Sequence, residues 1–244
     1  DPQMFADRIS RRYIDAWDSV DVVFDDFVRT TEQRHHEAVY TFYDRVFQNG
    51  DIYEGRYEGW YCYRCEEFLT DEALVDQCCP VHHTSPEWVE EDNYFFALSK
   101  YEGRLLELYE ERPDFVWPDT RRNEMLGFLR QGLSDFSISR AGAAWGIRLP
   151  TNPEHAIYVW FDALINYLTG VGFGQDSKSR TFASRWPANV HVIGKDIVRF
   201  HAIYWPAMLM SAGLELPRQI AVHGWVSFAG EELTQSGGHV VTPA

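Results

Sequence analysis

Two pairs of soft ligands stand out by type and spacing: Cys62-x2-Cys65 and, after thirteen intervening residues, Cys79-x2-His82. Each pair can bite one metal ion from a tight turn, and thiolate with imidazole suits Zn2+ in a closed tetrahedron. A filled shell leaves no open position for catalysis, so the expected role is structural. The register has alternatives, because Cys78 or His83 could replace a neighbour. The competing reading, four thiols without a metal, leaves the paired spacing unexplained.

A second set of residues could hold a ligand. His191-Val192-Ile193-Gly194-Lys195-Asp196 reads as a strand ending in glycine, with a helix starting near Asp196. Open parallel sheets bind ligands beyond the carboxyl ends of their strands, and a strand-Gly-helix turn lets a ligand approach the backbone there. Ile197, His201 and Trp205 recur every four residues and share one helical face, where His201 can hydrogen-bond a ligand amid apolar neighbours. Trp160, Ala163 and Tyr167, at offsets of three and four, put an indole, a small residue and a phenol on another face. Taken alone, either set reads as a buried helix stripe.

The elements that position these residues follow from periodicity. Phe5, Ile9, Tyr13 and Trp17 mark an amphipathic helix. Val22-Val23-Phe24 and Phe27-Val28, flanking Asp25-Asp26, predict a short extended run. A second helix is expected from Thr31, as a cap, to about Gln48, with Asn49-Gly50 as its stop signal. From Gly50 to Pro86 no period is sustained, as expected of a small module organised by a metal. Leu98, Leu105, Leu106 and Tyr109 predict a helix from Phe95 to about Glu111; Pro113 and Pro118 break the chain, and another helix is expected over 121–130. Beyond Pro153, strand-like runs at Ile157–Trp160, Val190–Ile193 and Ile220–Val222 alternate with helical patterns at Ala163–Leu168 and Ile197–Met210. That alternation implies an α/β fold with βαβ units and a parallel sheet. Gly170–Ser179 is the expected exposed loop.

Composition sets limits. The 244 residues are 45% hydrophobic and 16% aromatic, enough for a real core and against disorder. No apolar run reaches about 18 residues, and Asp1-Pro2-Gln3-Met4 lacks signal-peptide features, so a soluble, unexported, cytoplasmic protein with no membrane partner is expected. A formal charge of −15 disfavours gripping nucleic acid by broad phosphate neutralisation, leaving only a local basic patch for that purpose. The four cysteines all fall between Cys62 and Cys79, which suits a metal site in a reducing compartment better than a disulfide framework.

Taken together, Arg29-Thr30-Thr31, Tyr57-Glu58-Gly59-Trp60-Tyr61-Cys62, Asn93-Tyr94-Phe95-Phe96, Ser137-Ile138-Ser139-Arg140, Tyr158-Val159-Trp160-Phe161-Asp162-Ala163 and His191 to Asp196 resemble the methionyl-tRNA synthetase family along essentially the whole chain. The resemblance implies a class I synthetase nucleotide-binding fold, Rossmann-like, with a parallel sheet and a zinc-containing connective insertion. It places the end of the first nucleotide-fold half at 1–31, the insertion at 32–156 with its knuckle at 57–90, the second half at 157–223 and a KMSKS-type loop at 224–244. It implies that Trp160, Ala163, Tyr167, Ile197 and His201 hold the amino-acid side chain. Gly194 and Asp196 would lie at the ATP ribose, with Mg2+ accompanying the triphosphate.

The sequence departs from the family where ATP phosphates would be met. The HIGH motif belongs upstream of Asp1, and at the KMSKS position Glu232 and Gln235 occupy the two lysine sites. Those lysines would stabilise charge developing on the triphosphate, and losing one such donor costs about 3 kcal/mol. Leu164 stands where the bacterial pattern often has proline. The leading expectation is therefore an aminoacyl-adenylate-forming enzyme repurposed to an acceptor other than tRNA, by analogy with hydrazine-forming natural-product enzymes that act with a cupin domain. The alternatives are a conventional methionyl-tRNA synthetase segment, with tRNA gripped elsewhere, and an inactive amino-acid-binding or scaffold module.

Overall fold

A computed structural model describes residues 1–63, 67–69, 71–80, 83–225, 227–228 and 231–232. The chain opens on α1 (Pro2–Ser19), where the Asp1 side chain caps the first turn by accepting from the Gln3 N–H at 2.9 Å. Its apolar stripe is real but uncovered: Phe5, Tyr13 and Trp17 are exposed and no residue of the helix is buried. The extended run expected over 22–28 is irregular instead. No strand pairs with it among the described residues, and Val23 points fully into solvent.

Helix α2 (Gln33–Gln48) starts two residues after the expected cap. Glu32 takes the N-cap position without a side-chain bond. Its inward face, His35, Ala38, Val39, Phe42, Tyr43 and Val46, follows the three-and-four spacing of a core stripe. The helix ends at Asn49, with Gly50 at φ 75°, where a left-handed residue favours glycine.

The segment after Gly50 is more regular than its sequence suggests. Strand β1 (Ile52–Cys62) takes β2 (Glu67–Leu69) antiparallel on its far end, and pairs along its length with β3 (Glu87–Phe96), from Ile52 opposite Phe96 to Tyr61 opposite Glu87. Only the last four residues of β3 are buried. Over Glu87–Asp92, where neither face of β3 is buried, the strand has no reason to alternate polar and apolar residues, and it carries no readable period there.

The expected helix from Phe95 begins later, because Phe95 and Phe96 complete β3. A 3-10 turn (Leu98–Tyr101) leads into α3 (Glu102–Glu111), β4 (Val116–Trp117) and α4 (Asp119–Leu129). Four short strands follow: β5 (Phe136–Ser137), β6 (Ser139–Ala141), β7 (Arg148–Leu149) and β8 (Asn152–Ile157). β5 joins the hairpin sheet in the order β2-β1-β3-β5, and the others form an antiparallel sheet ordered β6-β8-β7. The strand expected at Ile157–Trp160 as part of the parallel sheet is thus antiparallel and ends at Ile157. Helix α5 (Val159–Leu164) starts two residues later, followed by α6 (Asn166–Thr169) and α7 (Ser179–Arg185).

The βαβ expectation holds further on. β9 (Val190–Gly194) leads through a 3-10 turn (Lys195–Ile197), a π-helical turn (Phe200–Tyr204) and α8 (Trp205–Ser211) to β10 (Gln219–His223), which is parallel to β9. β4 pairs parallel on the other side of β10, giving the order β4-β10-β9. The segment assigned to the insertion therefore contributes a strand to this sheet. β11 (Ser227–Phe228) and β12 (Glu231–Glu232) form an antiparallel pair.

One apolar core joins α2, α3 and α4 to α5, α8 and β10. Phe42 of α2 stacks on Trp205 of α8, with ring centroids 5.8 Å apart. The loop expected to be exposed at 170–179 is partly drawn into this core: Phe173 is buried and meets Phe42 edge-on. Gly174 permits the approach, since a Cβ there would stand 3.1 Å from the Ala38 Cα. Among the described residues no helix is long and apolar enough to cross a membrane.

Candidate functional site

Helices α5 and α6, the 3-10 turn after β9 and the π turn before α8 place Trp160, Tyr167, Ile197 and His201, four of the seven expected ligand-binding residues, in one neighbourhood. Trp160 of α5 lies flat on Phe200, ring centroids 3.8 Å apart and planes 8° from parallel. Tyr167 of α6 donates its hydroxyl hydrogen to His201 Nε2 at 2.8 Å, while His201 Nδ1 donates to the Ile197 carbonyl at 2.9 Å. A carbonyl can only accept, so the His201 proton sits on Nδ1 and Nε2 is left to accept. Ala163 and Ile197 are each half-buried.

His191 of β9 backs the wall. Its ring lies 4.0 Å from that of Tyr167, and its Nε2 accepts from the Trp205 indole N–H at 3.3 Å. Burial, helped by the neighbouring His201, pushes the His191 pKa down to about 3, and burial likewise lowers that of His201. Both rings are therefore neutral near pH 7. Burial raises the Tyr167 phenol to about 12, so it stays protonated. The wall is largely apolar, with the Tyr167 hydroxyl, the imidazoles of His191 and His201 and the indole N–H groups of Trp160 and Trp205 as its polar points.

Sequence periodicity missed Phe200 and the supporting role of His191. Phe200 falls outside the 197-201-205 stripe because the π turn at Phe200–Tyr204 inserts extra chain into the helix and re-aims its side chains. His191 lies in the strand motif, but a single buried histidine carries no spacing signal.

At the carboxyl end of β9, Gly194 is half-buried and Asp196 is exposed. A Cβ on Gly194 would sit 2.5 Å from Asp196 Oδ1, so glycine keeps this carboxylate against the strand end. Lys195 Nζ lies over the Trp225 ring at 4.7 Å.

A separate cleft of about 650 Å3 is lined by Thr30, Thr31, Tyr61, Arg140, Tyr158 and Asp162, among others. Residues from four of the resemblance motifs meet there, although Trp160, Tyr167 and His201 do not line it. Arg140 lies over the Tyr61 ring at 3.9 Å.

At the hairpin tip, Cys62 and Cys79 are buried in one small cluster with Leu69, against Trp60 and Leu74. A tight turn precedes Cys79, with Val75 and Cys78 exchanging backbone bonds of 3.0 and 2.9 Å across Asp76 and Gln77, both at positive φ. Cys65 and His82 lie outside the described residues, and among the described residues no three or more His, Cys, Asp or Glu converge as a metal site. Cys62 and Cys79 are soft donors buried in the same small cluster. Of the alternative donors, Cys78 is half-buried and His83 exposed. Of the KMSKS positions, Glu232 falls in β12 and Gln235 lies outside the described residues.

The parallel sheet with its strand-Gly-helix turn defines a class I nucleotide-fold protein. The chain belongs to the family described as tRNA synthetases class I (M), whose model matches residues 1–85 and 72–244. It is similar to the methionine–tRNA ligase of Thermosynechococcus vestitus, at 49% identity over 99% of this chain and 46% of that protein. That of Thermotoga maritima is 46% identical over 100% of this chain and 39% of the relative. A structure described as Mycobacterium tuberculosis methionyl-tRNA synthetase in complex with methionyl-adenylate superimposes with a TM-score of 0.93 at 46% identity, covering 100% of this chain and 48% of that one. The chain thus spans less than half the length of these relatives.

Proposed function

We propose that the protein activates an amino acid with ATP, forming an aminoacyl adenylate, and that methionine or a side chain of its size is the amino acid. The observation that carries this is the neutral Tyr167–His201 pair set in an aromatic wall of Trp160, Phe200 and Trp205. Such a wall accepts an unbranched apolar side chain and rejects charged ones, for which it offers no counter-charge. The relative described with methionyl-adenylate supports the same assignment. Gly194 and Asp196 hold the ribose, the carboxylate accepting from its hydroxyls. In the reaction a carboxylate oxygen attacks the α-phosphorus and pyrophosphate leaves. The chain contributes mainly by holding the reacting groups in line.

The acceptor is proposed to be something other than tRNA, because Glu232 and Gln235 replace two cations that would stabilise charge on the leaving pyrophosphate. None of the relatives described above is a hydrazine-forming enzyme, and that reading, with its cupin partner, rests on analogy and on these two residues. The second reading, tRNA charging with methionine, is favoured by the relatives' names. ATP–pyrophosphate exchange by the full-length protein, with a panel of amino acids and with and without tRNA, tests both. Exchange without tRNA charging supports the first; charging of methionine tRNA overturns it. Absence of nucleotide binding would point to a binding module only.

For the tip, we infer structural zinc held by Cys62, Cys65, Cys79 and His82. Ordering about twenty residues costs on the order of 20 kcal/mol of backbone entropy. Burying three small side chains there recovers only about 2 kcal/mol each. A zinc ion bound by such donors supplies about 10–16 kcal/mol, the size of the remaining gap.

A further inference from the structure

The pocket wall depends on two very short helices. α5 carries Trp160 and Ala163, α6 carries Tyr167, and the chain turns between them at Ile165. Helices of 6 and 4 residues cannot hold their own direction, since isolated turns are marginal without tertiary support. The spacing between Trp160 and Tyr167 must be fixed from outside.

His35, in the first turn of α2, is placed to do this. Its ring is fully buried, and its two nitrogens reach one side chain on each helix. Nε2 lies 2.5 Å from Asp162 Oδ1 on α5, and Nδ1 lies 2.8 Å from Thr169 Oγ1 on α6. A carboxylate accepts, so Nε2 carries a proton toward Asp162, while Nδ1 and Thr169 Oγ1 share a hydrogen bond whose direction follows the tautomer. Thr169 Oγ1 also lies 3.2 Å from the Ile165 carbonyl, at the turn itself. Asp162 sits between Trp160 and Ala163 in sequence, and Thr169 two residues after Tyr167.

We propose that His35 is a positioning residue which sets the angle between α5 and α6 and thereby the width of the amino-acid pocket. It touches no substrate and acts through Asp162 and Thr169. The assignment of the pocket rests on the activation reading above; the clamp itself rests on the hydrogen bonds alone.

Two measurements on the full-length protein separate the two. Hydrogen exchange by mass spectrometry reads the order of 159–170, with 102–129 as an internal control. Amino-acid-dependent ATP–pyrophosphate exchange reads KM for methionine and for ATP. His35→Leu, which keeps volume and breaks both bonds, is expected to lose protection in 159–170 only. It should raise the methionine KM tenfold or more while kcat and the ATP KM stay within threefold. His35→Gln, which can still donate to Asp162, should recover most of the methionine KM. Thr169→Val, which cuts only the α6 bond, should fall between, and it carries the comparison if His35→Leu does not fold. Unchanged protection in 159–170 overturns the clamp, as does equal loss in both segments with both KM values rising together. If no amino acid supports exchange by the wild type, the activation reading fails, and the protection pattern still decides the clamp.

Discussion

Around Tyr167, each polar group has a partner and each ring a neighbour: His201 to Ile197, His191 to Trp205, Trp160 to Phe200, all rooted in a core that runs into α2. At the hairpin tip, Cys62, Leu69 and Cys79 make a cluster of three buried side chains, separated from the buried root of the ladder by the half-buried to exposed stretch Glu87–Asp92 of β3. Packing can hold the first region and cannot hold the second. The difference separates a wall that packing holds fixed by itself from an appendage for which a metal is the proposed source of order.

The largest effect should come at the tip. Cys62→Ser is expected to drop zinc content from one per chain to none and to open 57–90 to protease. Elemental analysis with limited proteolysis checks this. Retention of full zinc by the variant would mean the ligand set is wrong. Next, Trp205→Ala removes a side chain with no exposure. It should cost about 3–5 kcal/mol in denaturant unfolding, leaving zinc content unchanged and so sharpening the contrast between the regions.

The root of the hairpin joins the two regions through one carboxylate. Asp51 accepts from Ser211 Oγ and Asn49 Nδ2 at 2.7 Å, from Lys100 Nζ at 3.0 Å and from the Tyr101 hydroxyl. Burial would raise its pKa, but these donors outweigh burial and hold it below the usual carboxylate value. The stabilisation is therefore complete above about pH 4, the unfolded value, and is lost as pH falls through the lower folded value. Asp51→Asn should cost about 2 kcal/mol at pH 7, with the gap to wild type closing in urea titrations below pH 4. A gap that persisted at pH 2 would show that charge is not what the donors recognise. The smallest effect is Tyr167→Phe, which removes one hydroxyl. The methionine KM should rise about tenfold, equivalent to about 1.4 kcal/mol, with thermal stability nearly unchanged.

The sequence carried these regions unequally. The βαβ unit around Gly194 was readable because the alternation of strand and helix patterns encodes it, whereas the cysteine pairs show only a spacing, with Cys65 and His82 outside the described residues. The hairpin arms were not, since Tyr53, Glu58, Trp88 and Glu90 face solvent and leave no alternation to detect. β8 was misplaced into the parallel sheet because a short apolar run looks the same in either kind of sheet. Phe200 and His35 were invisible for different reasons: one is aimed by a π turn, the other by partners more than a hundred residues away in sequence.

The Tyr167–His201 wall is proposed to hold an amino-acid side chain for activation. It is tested most directly by the methionine dependence of ATP–pyrophosphate exchange in the full-length protein, wild type beside His201→Ala. Saturable exchange in the wild type, with the variant's methionine KM raised tenfold or more and its ATP KM unchanged, is the expected result. Wild-type exchange with no amino acid, or identical methionine KM values in the two proteins, would contradict it.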